Sequence, residues 1–271
     1  MKITDSTILV TGANRGLGKA LVEEALRRGA KRVYAGARQP LVHANRRVTP
    51  LMLDVTNVVQ IRAAVEKVDA LDLLINNAGI SLQNDLSDRA ALERPLAVNL
   101  FGTYDVTQAF LSVLARSRSA IVNILSLAGL AAVPFDSLYS ISKAAAFSLS
   151  QSLRALLAAR GVSVHVVLPG PIDTDMARGL DIPKAAPESV AQAIFDGMEN
   201  GDEEIFPRSD VGGDRGGLAP QCRQEAPAPV CCVRRTNARQ VTGLNGPITA
   251  LARATVTLFH IPKRPRFRRA D

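Results

Sequence analysis

Tyr139 and Lys143 stand four residues apart in a segment of helical periodicity, so a helix there sets both on one face. A phenol with a pKa of about 10 exchanges protons poorly at neutral pH unless its anion is stabilised, and an ammonium one turn away can do that. Tyr-x-x-x-Lys alone is a common pattern, and a chance pair is more often a surface contact. Ser126 gives the pair weight. It falls thirteen residues before Tyr139, at the end of the apolar run Ala120 to Leu125, which reads as a buried strand. The ends of parallel strands and their adjoining loops are where such sheets bind ligands.

A second constellation opens the chain. Thr11-Gly12-Ala13-Asn14-Arg15-Gly16-Leu17-Gly18 lies between an apolar run, Thr7 to Val10, and a helical pattern, Leu17 to Arg28. Glycines there permit positive φ and let the backbone approach a pyrophosphate. A helix starting beside Gly16 would aim its free N–H groups and the positive end of its dipole at that anion. Glycine triplets also occur in ordinary loops, and the strand before and helix after are the context that favours phosphate binding.

The elements that must position these groups alternate along residues 1–207. Strands are expected at Thr7–Val10, Lys31–Gly36, Leu51–Leu53, Leu73–Ile75, Ala120–Leu125, Val162–Leu168 and Glu204–Phe206. Helices are expected at Leu17–Arg28, Ile61–Val68, 92–116, Leu138–Arg160 and Pro187–Asn200, with Gly29 and Gly161 as C-terminal stops. Apolar strands alternating with helices imply right-handed crossovers and a parallel sheet covered on both faces. The fold class is therefore α/β, a doubly wound parallel sheet of the Rossmann type in a single domain.

Charge and cysteine separate the last 64 residues from this body. Residues 1–207 hold 21 Lys+Arg against 21 Asp+Glu, whereas residues 208–271 hold 12 against 4 and so carry the whole net charge of +8. The body thus has no electrostatic footprint for a polyanion, and nucleic acid is not expected as its partner. Cys222, Cys231 and Cys232 all fall in the tail without zinc-ligand spacing, and no metal is expected. The tail is expected to be poorly ordered. It reads either as a frame-shifted translation or as a basic extension for an acidic partner or nucleic acid, and deleting it would separate these from activity in the body. No run approaches the roughly 20 apolar residues of a membrane span, and no signal-peptide pattern opens the chain, so a cytoplasmic protein is expected. His43, His165 and His260 are scattered and take structural or surface roles; Asp173 and Asp175 read as turn residues.

The glycine spacing, Thr-Gly-x-x-x-Gly-x-Gly, resembles that of the compact branch of the short-chain dehydrogenase/reductase family. Further matches follow in that family's order: Leu53-Asp54-Val55, Asn76-Asn77-Ala78-Gly79, Asn99, Ser126, Tyr139-x-x-x-Lys143 and Pro169-Gly170-Pro171-Ile172-Asp173-Thr174, over residues 5 to 207. The resemblance implies a nicotinamide-dependent oxidoreductase acting on a ketone, aldehyde or secondary alcohol. It implies that Thr11, Gly12, Asn14, Arg15, Gly16, Leu17 and Gly18 form the phosphate turn. By the same resemblance Asp54 and Val55 contact adenine, and Asn77, Ala78 and Gly79 line the nucleotide. Pro169, Gly170, Ile172 and Thr174 would hold the nicotinamide end. Ser126 would bind the carbonyl oxygen and Tyr139 would protonate it. Lys143 would lower the tyrosine pKa and hold the ribose, and Asn99 would help hold a proton-relay water. Leu125 departs from the second serine of many relatives. Relatives pair their two long helices across a two-fold axis, so a homodimer or homotetramer through 92–116 and 138–160 is expected.

NAD-specific members place an acid at the end of the second strand; here Ala35-Gly36-Ala37-Arg38 has none. Arg38 and Arg15 suit a 2′-phosphate, which favours NADP(H) over NAD(H), although both are also ordinary surface arginines. The flanking loops carry Leu130, Val133, Phe135, Met176, Leu180 and Ile182, which suggests a small or medium apolar carbonyl. A non-catalytic NADPH sensor is the rival; an intact Ser126, Tyr139 and Lys143 set argues against it.

Overall fold

Apolar, β-branched runs form the strands Thr7–Thr11 (β1), Arg32–Ala37 (β2), Val48–Met52 (β3), Leu73–Asn76 (β4), Ala120–Ile124 (β5), Ser163–Val167 (β6) and Glu204–Ile205 (β7). Between them run Gly16–Arg27 (α1), Val58–Lys67 (α2), Arg89–Leu96 (α3), Thr103–Leu114 (α4), Ser137–Leu157 (α5) and Pro187–Asn200 (α6). These elements come from a computed structural model that describes residues 1–82, 86, 88–117 and 119–207. The basic tail, with its three cysteines and His260, lies outside the described residues.

The strands form one sheet in the order β3-β2-β1-β4-β5-β6-β7, and every neighbouring pair is parallel. This is the doubly wound architecture expected from the sequence. β4, β5 and most of β1, β2 and β6 are buried, because helices cover both faces. On one face α1 and α6 pack through Leu21, Ala25, Ile194 and Phe195. On the other, α2, α4 and α5 pack through Ile61, Phe110 and Leu153. Chain order reverses between β1 and β4, and that switch point opens a crevice at the carboxyl ends of the two strands. Among the described residues no helix is long and apolar enough to cross a membrane.

Most boundaries shift by one to three residues, and three differences have a clear local cause. β3 begins at Val48 rather than Leu51 and contains Pro50. Proline reads as a breaker in sequence, but β3 is an edge strand, where a missing N–H is tolerated. α2 begins at Val58 because the Asn57 side chain accepts from the N–H groups of Val59 and Gln60. The stretch 92–116 is not one uniform helix: α3 passes through a π-helical segment, Ala97–Gly102, into α4. Pro95 sits at the end of α3, where it removes a helical donor just before the wider turn. Such π-bulges recur at functional sites, and this one carries Asn99.

Candidate active site

The switch point is stapled by one threonine and one asparagine. Thr11 Oγ1 accepts from the N–H groups of Asn77 and Ala78, both at 3.0 Å. Asn77 Nδ2 donates in return to the carbonyls of Thr11 at 2.9 Å and Gly12 at 3.2 Å. The loops after β1 and β4 are thereby fixed to each other before any ligand arrives. Gly12 holds φ +65°, and a Cβ on Gly18 would lie 2.0 Å from the Gly12 carbonyl oxygen. The turn is thus a shelf of bare backbone. Arg15 occupies the cap position of α1 and offers no side-chain acceptor, so the first-turn N–H groups stay available to an anion. This cradle fits a pyrophosphate. Leu17 differs from the other turn residues: its side chain lies in the core, and only its backbone belongs to the shelf.

Arg38 follows β2, is exposed, and makes no hydrogen bond or ion pair among the described residues. Arg15 is also exposed, but its guanidinium pairs with Asp175 at 3.0 Å. Asp175 therefore does more than shape a turn, and it also holds Arg178. Its neighbour Thr174 packs against the glycine turn, its methyl 3.0 Å from where a Gly16 Cβ would stand, so a side chain there would collide with it. Asp54 Oδ1 accepts from Thr56 N and Oγ1 at 2.9 and 2.7 Å, and Val55 is buried beside it. Pro169, Gly170 and Pro171 border an apolar cavity of about 410 Å³ with Leu127, Ala185, Val190 and Pro207. Ile172 pairs with Ala185 in a short parallel bridge that shapes this segment.

β5 delivers Ser126 to the carboxyl edge, where its Oγ accepts from Ala128 N at 3.1 Å and caps a short 3-10 turn. Leu125 points into a small cluster with Ala146, Val166 and Leu168, so an apolar residue there contributes packing that a serine would not. α5 carries Tyr139 and Lys143 on one face, with Lys143 Nζ 5.5 Å from the phenol ring centroid. Lys143 is buried, and its ammonium donates to the Ile124 carbonyl at 2.8 Å. Gly79 completes the floor: a Cβ there would stand 3.3 Å from Asn99 Oδ1 and 3.5 Å from Lys143 Nζ. Asn99 accepts from Ile80 N at 2.9 Å and donates to Ile80 O at 2.9 Å and Ser142 Oγ at 2.8 Å. Its main-chain carbonyl accepts from Thr103 Oγ1 at 3.1 Å.

The electrostatics differ from the sequence expectation in one respect. The Tyr139 pKa is pushed up to about 12, by burial first, against the lowering pull of the Ser126 hydroxyl and with an added upward push from Asp136. Burial lowers Lys143 to about 8. Lys143 does not offset the burial of the phenol here, because burial makes it lose its own proton well below the pH at which the phenol titrates. The phenol is therefore held as a proton donor at neutral pH.

Sequence spacing did not single out Ser81, Asp136 and Ser142. Ser81 Oγ donates to Asp136 Oδ2 at 2.7 Å, and Ser142 supports Asn99. Serine is too common for position alone to reveal either hydroxyl. Asp136 lies one turn before Tyr139, a spacing that was legible. His43 bonds Glu23 and Asn45 N, and His165 bonds Asp202 O and Ser163, as structural histidines do.

The chain is similar to proteins described as dehydrogenases, reductases and oxidoreductases. A family model described as short chain dehydrogenase matches residues 6–184. The ketoacyl reductase HetN of a Nostoc species is 34% identical over 226 residues, covering 75% of this chain and 79% of that protein. A short chain dehydrogenase from Burkholderia cenocepacia, solved in complex with NADP, is 40% identical with a TM-score of 0.74, covering 77% of this chain and 90% of that one. A Burkholderia phymatum short chain dehydrogenase/reductase in complex with NAD superposes with a TM-score of 0.69 over 78% and 92% of the two chains. At 22% identity it shares the fold alone. The chain belongs to the short-chain dehydrogenase/reductase family of oxidoreductases.

Proposed function

We propose that this protein is an NADPH-dependent reductase of a ketone or aldehyde, able to oxidise the corresponding secondary alcohol in reverse. The observation that carries this reading is the meeting of Ser126 and Tyr139 at the carboxyl edge of the sheet, with Lys143 beneath the phenol. Ser126 orients the carbonyl oxygen by donating a hydrogen bond. Tyr139 gives that oxygen its proton, and burial keeps the phenol protonated until it is needed. Lys143 holds the ribose and restores positive charge beside the phenolate that forms. Asn99 steadies the loop at Ile80 and the α5 serine, and so supports a relay of protons from solvent. When bound, the nicotinamide supplies the hydride.

Thr11 to Gly18 would take the pyrophosphate, Asp54 and Val55 the adenine, Asn77 to Gly79 the nucleoside, and the Pro169 to Thr174 segment the nicotinamide end. Arg38, exposed and without a partner among the described residues, and Arg15 are the cations for a 2′-phosphate, and no acid replaces them at the end of β2. The complex of the Burkholderia cenocepacia relative with NADP supports the same preference. Phe101, Tyr104 and Leu156 are 54%, 43% and 71% exposed on the two long helical stretches, which supports a homodimer or homotetramer through them.

NADPH and NADH titrated against wild type and Arg38→Ala test the reading, followed by a screen of apolar carbonyls. NADPH should bind more tightly than NADH, and the substitution should weaken NADPH by about tenfold or more while sparing NADH, as expected for a lost charge-assisted hydrogen bond. Equal affinity for both cofactors in the wild type would reject the NADPH assignment.

A further inference from the structure

Several buried or half-buried titratable groups lie outside the reaction just described. Glu24 is neutralised by Arg27 and Arg28. His165 is tied between Asp202 O and Ser163 Oγ. Asp136 is different: among the described residues it has neither an ion pair nor partners for both of its oxygens. One oxygen, Oδ2, accepts from Ser81 Oγ at 2.7 Å; the other, Oδ1, is buried without a hydrogen-bond partner. A carboxylate in that setting loses part of its hydration without full compensation.

Its place gives the cost a purpose. Asp136 immediately precedes α5 and stands one helical turn before Tyr139. Its backbone is locked: Asp136 N donates to Val133 O at 2.9 Å, and Asp136 O accepts from Ser140 Oγ at 3.0 Å. Ser81 belongs to the loop after β4, the same loop whose Ile80 is held by Asn99. The carboxylate thus joins the floor of the site to the helix that carries the phenol.

Few other charges reach this corner. Lys143 lies on α5 itself, beneath the Tyr139 ring. The π-helical segment and the 3-10 turn after Ser126 carry no charged residue, and the turn before α5 carries only Asp136. α3 brings Arg89, Glu93 and Arg94, all exposed, with Arg89 and Glu93 paired to each other. Arg160, in the turn after α5, lies at that helix's far end, and on β6 the titratable group is the engaged His165.

We propose that Asp136 is a positioning residue for Tyr139: its carboxylate keeps the phenol protonated and so extends reduction to higher pH, while its bond to Ser81 fixes the loop after β4 against α5. This rests on the reading of Tyr139 as the proton donor. Negative charge one turn away disfavours the phenolate, which agrees with the upward push of Asp136 on the tyrosine and with burial raising the carboxyl itself.

The test is a nuclear magnetic resonance titration of ring-labelled tyrosine in the full chain, assigned with Tyr139→Phe, alongside the pH profile of carbonyl reduction. In Asp136→Asn the Tyr139 titration should move to lower pH by about one unit, as removal of a like charge one helical turn away would produce. The alkaline limb of the reduction profile should fall with it, and Asp136→Glu should restore both. Asp136→Ser, neutral and small, serves if the asparagine variant does not fold. A Tyr139 titration unchanged in both neutral variants overturns the proposal, even if rates fall at every pH. Retained reductase activity in Tyr139→Phe would instead overturn the reading of Tyr139 on which it rests.

Discussion

At the residue scale, Tyr139 and Lys143 pull the protein in opposite directions. Lys143 is buried, and its pKa falls from an ordinary 10.5 to about 8. Below pH 8 the folded protein must hide a charged ammonium that the unfolded chain leaves in water. Between about 8 and 10.5 the unfolded chain binds more protons than the folded one, so stability rises with pH over that window. The shift corresponds to a penalty on the order of 3 kcal/mol at neutral pH. Tyr139 acts with the opposite sign: its pKa rises from 10.0 to about 12, so stability falls as pH passes through that range. Urea unfolding of the apo protein across alkaline pH should show a maximum near 10. Lys143→Met should raise stability at pH 7 and flatten the rise, while removing activity. Tyr139→Phe should cut turnover about a hundredfold or more, with cofactor affinity little changed, in steady-state assays.

At the element scale, the glycine turn and the end of α5 separate two uses of one residue type. Gly161 holds φ +72° with nothing within 4 Å of a notional Cβ, so alanine there meets only backbone strain, about 1 kcal/mol. A Cβ on Gly18 would strike the Gly12 carbonyl, so Gly18→Ala should displace the whole shelf. Thermal denaturation should show a modest loss for the first, and cofactor titration a loss of binding for the second. Both glycines were visible in the sequence, but only neighbours in space tell them apart. The same divide runs through the elements. Tyr139, Lys143 and Ser126 fell where periodicity and an apolar run placed them. β3 and the π-helical segment did not, because edge position and local helix widening depend on partners distant in the chain. Asn99 was legible as an asparagine in a helix, whereas its bonds to Ile80 and Ser142 required the packed fold.

At the scale of the whole molecule, Phe101, Tyr104, Ile141 and Leu156 leave apolar area exposed on the two long helical stretches that flank the site. If these faces meet a second copy, Leu156→Glu should shift sedimentation from dimer or tetramer towards monomer at micromolar concentration. Because α5 carries Tyr139, the same variant should lower activity in parallel with dissociation and recover it as protein concentration rises.

The pairing of Arg15 with Asp175, and the packing of Thr174 beside Gly16, have a consequence for the sequence of events in turnover. On the proposed reading, the segment at Thr174 and Asp175 that would wall the carbonyl site is fastened to the turn that would receive the phosphates. A carbonyl arriving first would meet a wall whose anchor is still to be shared with an incoming phosphate. An exposed ion pair of this kind is worth about 1 kcal/mol or less, so a dianion can take the arginine from it. Turnover should therefore follow a compulsory order, dinucleotide on first and off last. In product-inhibition experiments, oxidised dinucleotide should compete with reduced dinucleotide, whereas the alcohol should be noncompetitive against the carbonyl. Asp175→Ala should loosen that order towards random addition.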